Sequence, residues 1–136
     1  MRAFIDTNIY IAIINETDPT HDNGLQEIQY LYENNFELFT SNYIIAETTT
    51  ILSQRIGRNI AENFRDDLYK GNTKILTTNL EIEEMVWGIF KMSTNKNIGY
   101  VDCASIAFCK KFNIENLITI DKDLIKFFNT LIIQNK

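Results

Sequence analysis

Near its N-terminus the sequence reads Phe4-Ile5-Asp6-Thr7-Asn8, where an apolar run ends in an acid and two polar residues. The apolar residues before Asp6 predict a short buried strand, and an apolar segment with helical character, residues 9–14, follows at once. In open α/β sheets the loops at the carboxyl ends of parallel strands form the ligand crevice. A strand that ends in a carboxylate and turns directly into a helix therefore predicts a functional site at Asp6.

Short apolar strands alternate with helical segments along the rest of the chain. Strands are predicted at residues 3–5, 36–40, 73–77, 117–120 and 131–133. Such alternation predicts a parallel sheet that is covered on both faces by helices. We expect an α/β protein, a three-layer α/β/α sandwich with a central parallel sheet of four to five strands, built from one domain that spans residues 1–136.

Composition sets limits on the function. The chain has 136 residues, of which 45% are hydrophobic and 23% charged, as in an ordinary globular domain. No apolar run is long enough to cross a bilayer and no leader peptide is visible, so we expect no membrane and a cytoplasmic protein. The net charge of −5 argues against a nucleic-acid partner unless divalent cations stand between acidic side chains and phosphate. That exception requires clustered carboxylates.

Asp121 repeats the arrangement of Asp6. It follows the predicted strand at residues 117–120, and a helical segment begins at once. If both strands belong to one parallel sheet, both carboxylates emerge at the same edge. The alternative is that each Asp only caps the helix that follows it, which Asp does well.

Two further acids lie on helices. Glu47 falls on the apolar stripe of its helix with Ile44 and Ile51, where an ionised carboxylate is costly unless a cation meets it. Asp102 opens the helix that carries Ile106 and borders its buried face. The alternatives are that Glu47 lies at the margin of the stripe and reaches solvent, and that Asp102 only stabilises a first helical turn.

Together the four acids predict a divalent metal site. Like charges that converge raise one another's pKa, and a hard cation removes that cost. Oxygen ligands without His or Cys favour Mg²⁺ or Mn²⁺ over Zn²⁺. A widespread use of such a site is to hold a phosphodiester and a water molecule for in-line displacement. The basic residues that could reach phosphates are scattered along the chain: Arg55, Arg58, Lys96, Lys110 and Lys111. Scattered surface cations are usually only solvated, so the pattern alone assigns none of them to the substrate.

These motifs resemble the PIN (PilT N-terminus) domain family, and within it the stand-alone VapC-type toxins of toxin–antitoxin pairs. The resemblance covers nearly the whole chain. It rests on residues 4–8, on Ser41 followed by Glu47, and on the runs Tyr100-Val101-Asp102-Cys103-Ala104-Ser105 and Leu117-Ile118-Thr119-Ile120-Asp121-Lys122-Asp123. Many relatives carry Phe where this chain has Leu124, which leaves open whether Asp121 or Asp123 faces the metal.

The resemblance implies a metal-dependent endoribonuclease that cuts RNA, as the toxin of a type II toxin–antitoxin pair. It implies a protein antitoxin whose C-terminal segment lies in an apolar groove between helices, with residues 9–14, 25–32 and 44–52 as candidates, and a homodimer. Water attack would leave a 5′-phosphate and a 3′-hydroxyl. The implied catalytic residues are Asp6, Glu47, Asp102 and Asp121. Mg²⁺ or Mn²⁺ would be held by Asp6, Asp102 and Asp121, with Asp123 as a possible extra ligand. Glu47 would act as the base. Thr7 and Asn8 would contact the phosphate or a metal-bound water.

Other readings stay open. The chain could be an RNA-processing PIN nuclease outside a toxin–antitoxin pair, or a non-catalytic PIN or receiver-like binding module. A phosphatase of the haloacid-dehalogenase type also starts from a strand-terminal Asp. It needs a second Asp two residues later, and Asn8 occupies that position.

Overall fold

The computed structural model describes residues 1–134, and a parallel sheet lies at its centre. Its strands are β1 (Arg2–Ile5), β2 (Glu37–Ser41), β3 (Lys74–Leu76) and β4 (Asn116–Ile118). They run in the order β3-β2-β1-β4, and every neighbouring pair is parallel. The strand order changes direction beside β1, because the chain moves outward through β2 and β3 and then returns to the other side of β1. Ligand crevices form at such a reversal.

Helices cover both faces of the sheet. They are α1 (Thr7–Ile14), α2 (His21–Glu33), α3 (Asn42–Arg55), α4 (Arg58–Lys70), α5 (Leu80–Met92), α6 (Tyr100–Lys111) and α7 (Lys122–Gln134). Successive strand residues point to opposite faces. Ala3 and Ile5 accordingly pack in a cluster with α1 and α2, whereas Phe4 packs in the larger cluster of α5, α6 and α7. The predicted three-layer α/β/α fold is confirmed.

The sheet of residues 1–134 has four strands, within the predicted four to five, and the predicted fifth strand is wrong. The apolar run Leu131-Ile132-Ile133, predicted to be a last strand, continues α7 instead, so the sheet formed by residues 1–134 has four strands. Leu124, Phe128 and Leu131 recur at helical spacing and are all buried in the larger cluster. The helical stripe therefore determines the conformation, and the short apolar run at its end does not add a strand.

Hydrogen bonds at the start of α3 and at the end of β4 define two boundaries that position site residues. Ser41 caps α3 as predicted, since its Oγ accepts a hydrogen bond from the backbone N–H of Ile44 at 3.3 Å. Strand β4 ends at Ile118, two residues earlier than predicted, and the backbone N–H of Asp6 donates to the Ile118 carbonyl at 3.0 Å. Thr119 and Ile120 are thus a connection that leads from the sheet to Asp121.

None of the helices within residues 1–134 combines the length and the apolar character that crossing a bilayer requires.

Candidate active site

A cavity of about 480 Å³ opens at the carboxyl ends of β1 and β4. All four acids predicted from the sequence line it, together with Thr7 and Asn8: the acids are Asp6, Glu47, Asp102 and Asp121. They come from the end of β1, the middle of α3, the first turn of α6 and the residue before α7. The structure therefore brings together side chains that are more than 100 residues apart in the chain.

Asp6 is the most buried of the four, with 4% of its surface exposed. Its Oδ1 accepts a hydrogen bond from the backbone N–H of Thr7 at 2.9 Å, and its Oδ2 accepts one from the Thr119 hydroxyl at 2.7 Å. Burial raises the pKa of Asp6 to about 6, and the negative charges of Asp102 and Glu47 add to the rise. The fold thus holds a carboxylate whose ionised form is disfavoured unless a cation lies beside it.

Asp102 and Glu47 complete the centre of the cavity. The Oδ2 of Asp102 accepts a hydrogen bond from the backbone N–H of Gly99 at 2.9 Å, which fixes the side chain against its own helix start. Burial raises the pKa of Asp102, and the charges of Asp121 and Glu47 raise it further. Glu47 is half-buried on α3, one turn before Ile51, which lines the same cavity.

Asp121 lines the cavity and caps a helix at the same time. Its Oδ1 accepts hydrogen bonds from the backbone N–H groups of Asp123 and Leu124, at 3.0 and 3.3 Å. The capping role considered as an alternative is therefore real, but it occupies only one carboxylate oxygen. The structure does not bring Asp123 into this cavity. Its exposed side chain lines a separate pocket beside residues 92–98.

Thr119 is a residue that the sequence analysis left unassigned. Its hydroxyl donates to Asp6, and it accepts hydrogen bonds from the Asn8 side-chain amide at 2.9 Å and from the backbone N–H of Asp121 at 3.2 Å. The amide oxygen of Asn8 accepts from the backbone N–H of Ile120 at 3.1 Å. Both ends of the Asn8 amide are thus engaged, which favours a role in holding the 119–121 connection against the start of α1 over a direct phosphate contact.

Thr7 differs from Asn8 in its hydrogen bonding. It is 5% exposed and lines the cavity, yet its hydroxyl finds no hydrogen-bond partner among the described residues. A buried hydroxyl without a partner is costly. A ligand or water in the cavity would supply the missing partner.

The donor set fits a hard divalent cation. It consists of carboxylate and hydroxyl oxygens, and the pKa values of Asp6 and Asp102 are raised by burial and mutual repulsion. In the described part of the chain no three His, Cys, Asp or Glu side chains form a ready-made ligand set. Mg²⁺ typically keeps several waters and takes one or two carboxylates. The arrangement therefore fits an ion held by one or two carboxylates directly and by the others through water.

The buried acid predicts a pH dependence of stability in metal-free protein. Because the folded pKa of Asp6, about 6, lies above its ordinary value of 3.8, the folded state binds more protons than the unfolded state between these values. Lowering the pH from 7.5 to 5 should therefore raise the contribution of Asp6 to the free energy of unfolding by on the order of 1 kcal/mol. Urea unfolding in EDTA at both pH values measures this. The control is Asp6→Asn, whose difference from the wild type should shrink as the pH falls; a constant difference would contradict the assignment.

Comparison with known proteins finds a matching family model and relatives of similar sequence. The family model of the PIN domain matches residues 3–128. The chain is 25% identical over 121 residues to the 23S rRNA-specific endonuclease VapC20 of two Mycobacterium tuberculosis strains, a match that covers 88% of this chain and 89% of each relative.

Two solved structures have a similar fold. The crystal structure of Mycobacterium tuberculosis VapC20, described as a sarcin-ricin loop cleaving toxin, superposes with a TM-score of 0.80 at 23% identity and covers 91% of this chain and 93% of that one. The crystal structure of Rickettsia felis VapBC2 bound to a promoter DNA fragment gives a TM-score of 0.58 at 17% identity, with 89% and 100% covered.

Proposed function

The chain belongs to the PIN domain family, and from that premise we propose that it is a metal-dependent endoribonuclease that hydrolyses RNA phosphodiester bonds. The observation that carries the proposal is the cavity in which Asp6, Glu47, Asp102 and Asp121 converge. Buried carboxylates that converge on one cavity cost stability in a purely structural role, whereas a metal-dependent phosphodiesterase uses them. We propose that a single domain, residues 1–136, does this work, in the cytoplasm.

Asp6, Asp102 and Asp121 would hold Mg²⁺ or Mn²⁺, directly or through water. The chemistry that such an ion supplies is polarisation of the scissile phosphate and a lower pKa of the attacking water. Thr119 keeps the Asp6 carboxylate oriented through its 2.7 Å hydrogen bond, and Gly99 does the same for Asp102. Asp123 lies outside the cavity, so we leave it out of the ligand set.

Glu47 is the proposed general base. It is half-buried, lines the cavity, and accepts no hydrogen bond from the described residues, so its carboxylate is open to a water proton. The unpartnered Thr7 hydroxyl would donate to a phosphate oxygen. Attack by water would leave a 5′-phosphate and a 3′-hydroxyl.

We further propose that the protein is the toxin of a type II toxin–antitoxin pair. The support is an apolar groove of about 430 Å³ between α1, α2 and α4, where a helical antitoxin segment would bind. Ile13, Ile28 and Phe64 line it. Helices α1 and α2 were expected there from the resemblance; α4 lines the groove where residues 44–52 of α3 were expected.

A homodimer is the second assembly that we propose. Leu80, Trp87 and Met92 are large apolar side chains on α5 that are 86%, 48% and 56% exposed. An interface between two copies would bury them.

The test is cleavage of an RNA substrate by protein that has been purified without antitoxin. Activity should disappear in EDTA and return with Mn²⁺ or Mg²⁺, and the products should carry a 5′-phosphate. Cleavage that is unaffected by EDTA would overturn the metal proposal. Absence of cleavage with either ion, in folded protein that binds RNA, would favour the alternative of a non-catalytic binding module.

A further inference from the structure

The active-site cavity is lined by more acidic than basic side chains. Five acidic side chains line it: the four proposed active-site acids and Asp18, which lies between α1 and α2. Among the residues that line it, one is basic, and this is Arg55 at the end of α3. An RNA chain presents phosphates on both sides of the scissile one, and a metal ion at the centre does not neutralise these neighbours.

Arg55 is placed on the same face of α3 as the proposed base. Glu47, Ile51 and Arg55 follow one another at intervals of four residues, and all three line the cavity. Eight residues of α-helix separate the Cα atoms of Glu47 and Arg55 by roughly 12 Å along the axis. Arg55 therefore lines the cavity two helical turns away from the proposed base, where RNA beside the reacting bond would pass.

The guanidinium of Arg55 is available to a ligand. It is exposed and makes no hydrogen bond or ion pair within residues 1–134. Asp18 is near enough for the positive charge of Arg55 to contribute to a lowered pKa, but its hydrogen bonds to Thr20 are the larger cause. The Oδ1 of Asp18 accepts from the backbone N–H and the hydroxyl of Thr20, at 2.8 and 2.5 Å, which ties the carboxylate to its own loop.

We propose that Arg55 is a substrate-binding residue that binds an RNA phosphate flanking the scissile one. The proposal rests on the proposed ribonuclease function and adds a residue that determines affinity. An Arg near a helix C-terminus also stabilises the helix dipole, and this is the structural explanation to be excluded. The two roles differ in measurable ways, because helix stabilisation does not involve the substrate.

The test compares Arg55→Gln with Arg58→Gln, an exposed Arg three residues later that lines a different pocket, between α3 and α4. Arg55→Gln should raise KM about tenfold or more, with kcat within about threefold of the wild type, because a charged hydrogen bond is lost in ground state and transition state alike. Arg55→Lys should recover part of the affinity, since it keeps the charge but not the planar fork.

A binding measurement separates this inference from the proposed function. Binding of single-stranded RNA to EDTA-treated protein, titrated at several salt concentrations, should give a shallower dependence of log K on log salt for Arg55→Gln, by about 0.7, and no change for Arg58→Gln. If the wild type cleaves RNA but Arg55→Gln leaves KM and this slope unchanged, the inference fails and the proposed function stands. If the wild type neither binds nor cleaves RNA, both fail. An equal effect of Arg58→Gln would also overturn the inference.

Discussion

Replacement of Asp6 by Asn should reduce metal-dependent RNA cleavage at least 10³-fold, which corresponds to a loss of about 4 kcal/mol of transition-state stabilisation. The reason is that Asp6 is the buried carboxylate of the cavity, held from both sides by Thr7 and Thr119. An Asn side chain keeps the shape but removes the charge that would attract the cation. Cleavage of an end-labelled RNA under single-turnover conditions with Mn²⁺ measures the effect.

The same substitution should make the metal-free protein more stable. At pH 7.5 the buried Asp6 is mostly in its unfavourable ionised form, since its pKa is raised from 3.8 to about 6. Removing the charge should increase the free energy of unfolding in EDTA by up to about 3 kcal/mol at pH 7.5. A variant that is inactive but more stable cannot owe its inactivity to misfolding, so the two measurements together isolate the chemical role.

Substitutions of Asp121 and Asp123 form a matched comparison, because the two residues are close in sequence but line different cavities. Asp121→Asn should lose activity because Asp121 lines the cavity, whereas Asp123→Asn should stay within about threefold of the wild type because its side chain lies elsewhere. Both variants keep an oxygen that can accept hydrogen bonds. Full activity of Asp121→Asn with loss in Asp123→Asn would reverse the assignment of the fourth acid.

Introducing a charge into the apolar groove should release the proposed antitoxin. Tyr32 is 64% exposed and lines the groove, so Tyr32→Glu should fold normally but place a carboxylate against an apolar partner. Loss of an aromatic contact together with an unpaired charge typically costs about 3 kcal/mol, or more than a hundredfold in the dissociation constant. Calorimetric titration with the proposed antitoxin measures this.

The control for that experiment lies two residues away on the same helix. Tyr30 is 55% exposed but packs on Phe36 with ring centroids 5.9 Å apart and does not line the groove. Tyr30→Glu should therefore leave antitoxin affinity nearly unchanged, and both variants should cleave RNA as the wild type does. Equal antitoxin affinity of Tyr32→Glu and the wild type would place the partner on another surface.

The sequence was most informative where a pattern had a single physical meaning. The apolar run that ends at Asp6 and the Ser41 cap before α3 predicted the elements that carry two of the four acids, and both are present. The order of strands and helices predicted a parallel sheet, and this brought the remaining acids to the same edge.

Long-range contacts explain what the sequence did not reveal. Thr119 looked like a strand residue between two Ile residues, and its role depends on Asn8 and Asp6, which are more than 100 residues away. In the sequence, Arg55 is one of several scattered basic residues, and only the structure shows that it lines the cavity. The last apolar run was ambiguous because three apolar residues suit a strand or the end of an amphipathic helix.

The central claim is that Asp6, Glu47, Asp102 and Asp121 surround one divalent cation site. Its most direct test is an anomalous difference map from a crystal soaked in Mn²⁺. We expect a peak in the cavity within coordination distance of Asp6 or Asp102, with water bridging the remaining carboxylates. A fully occupied Mn²⁺ peak elsewhere, with the cavity empty and its carboxylates free of lattice contacts, would contradict it.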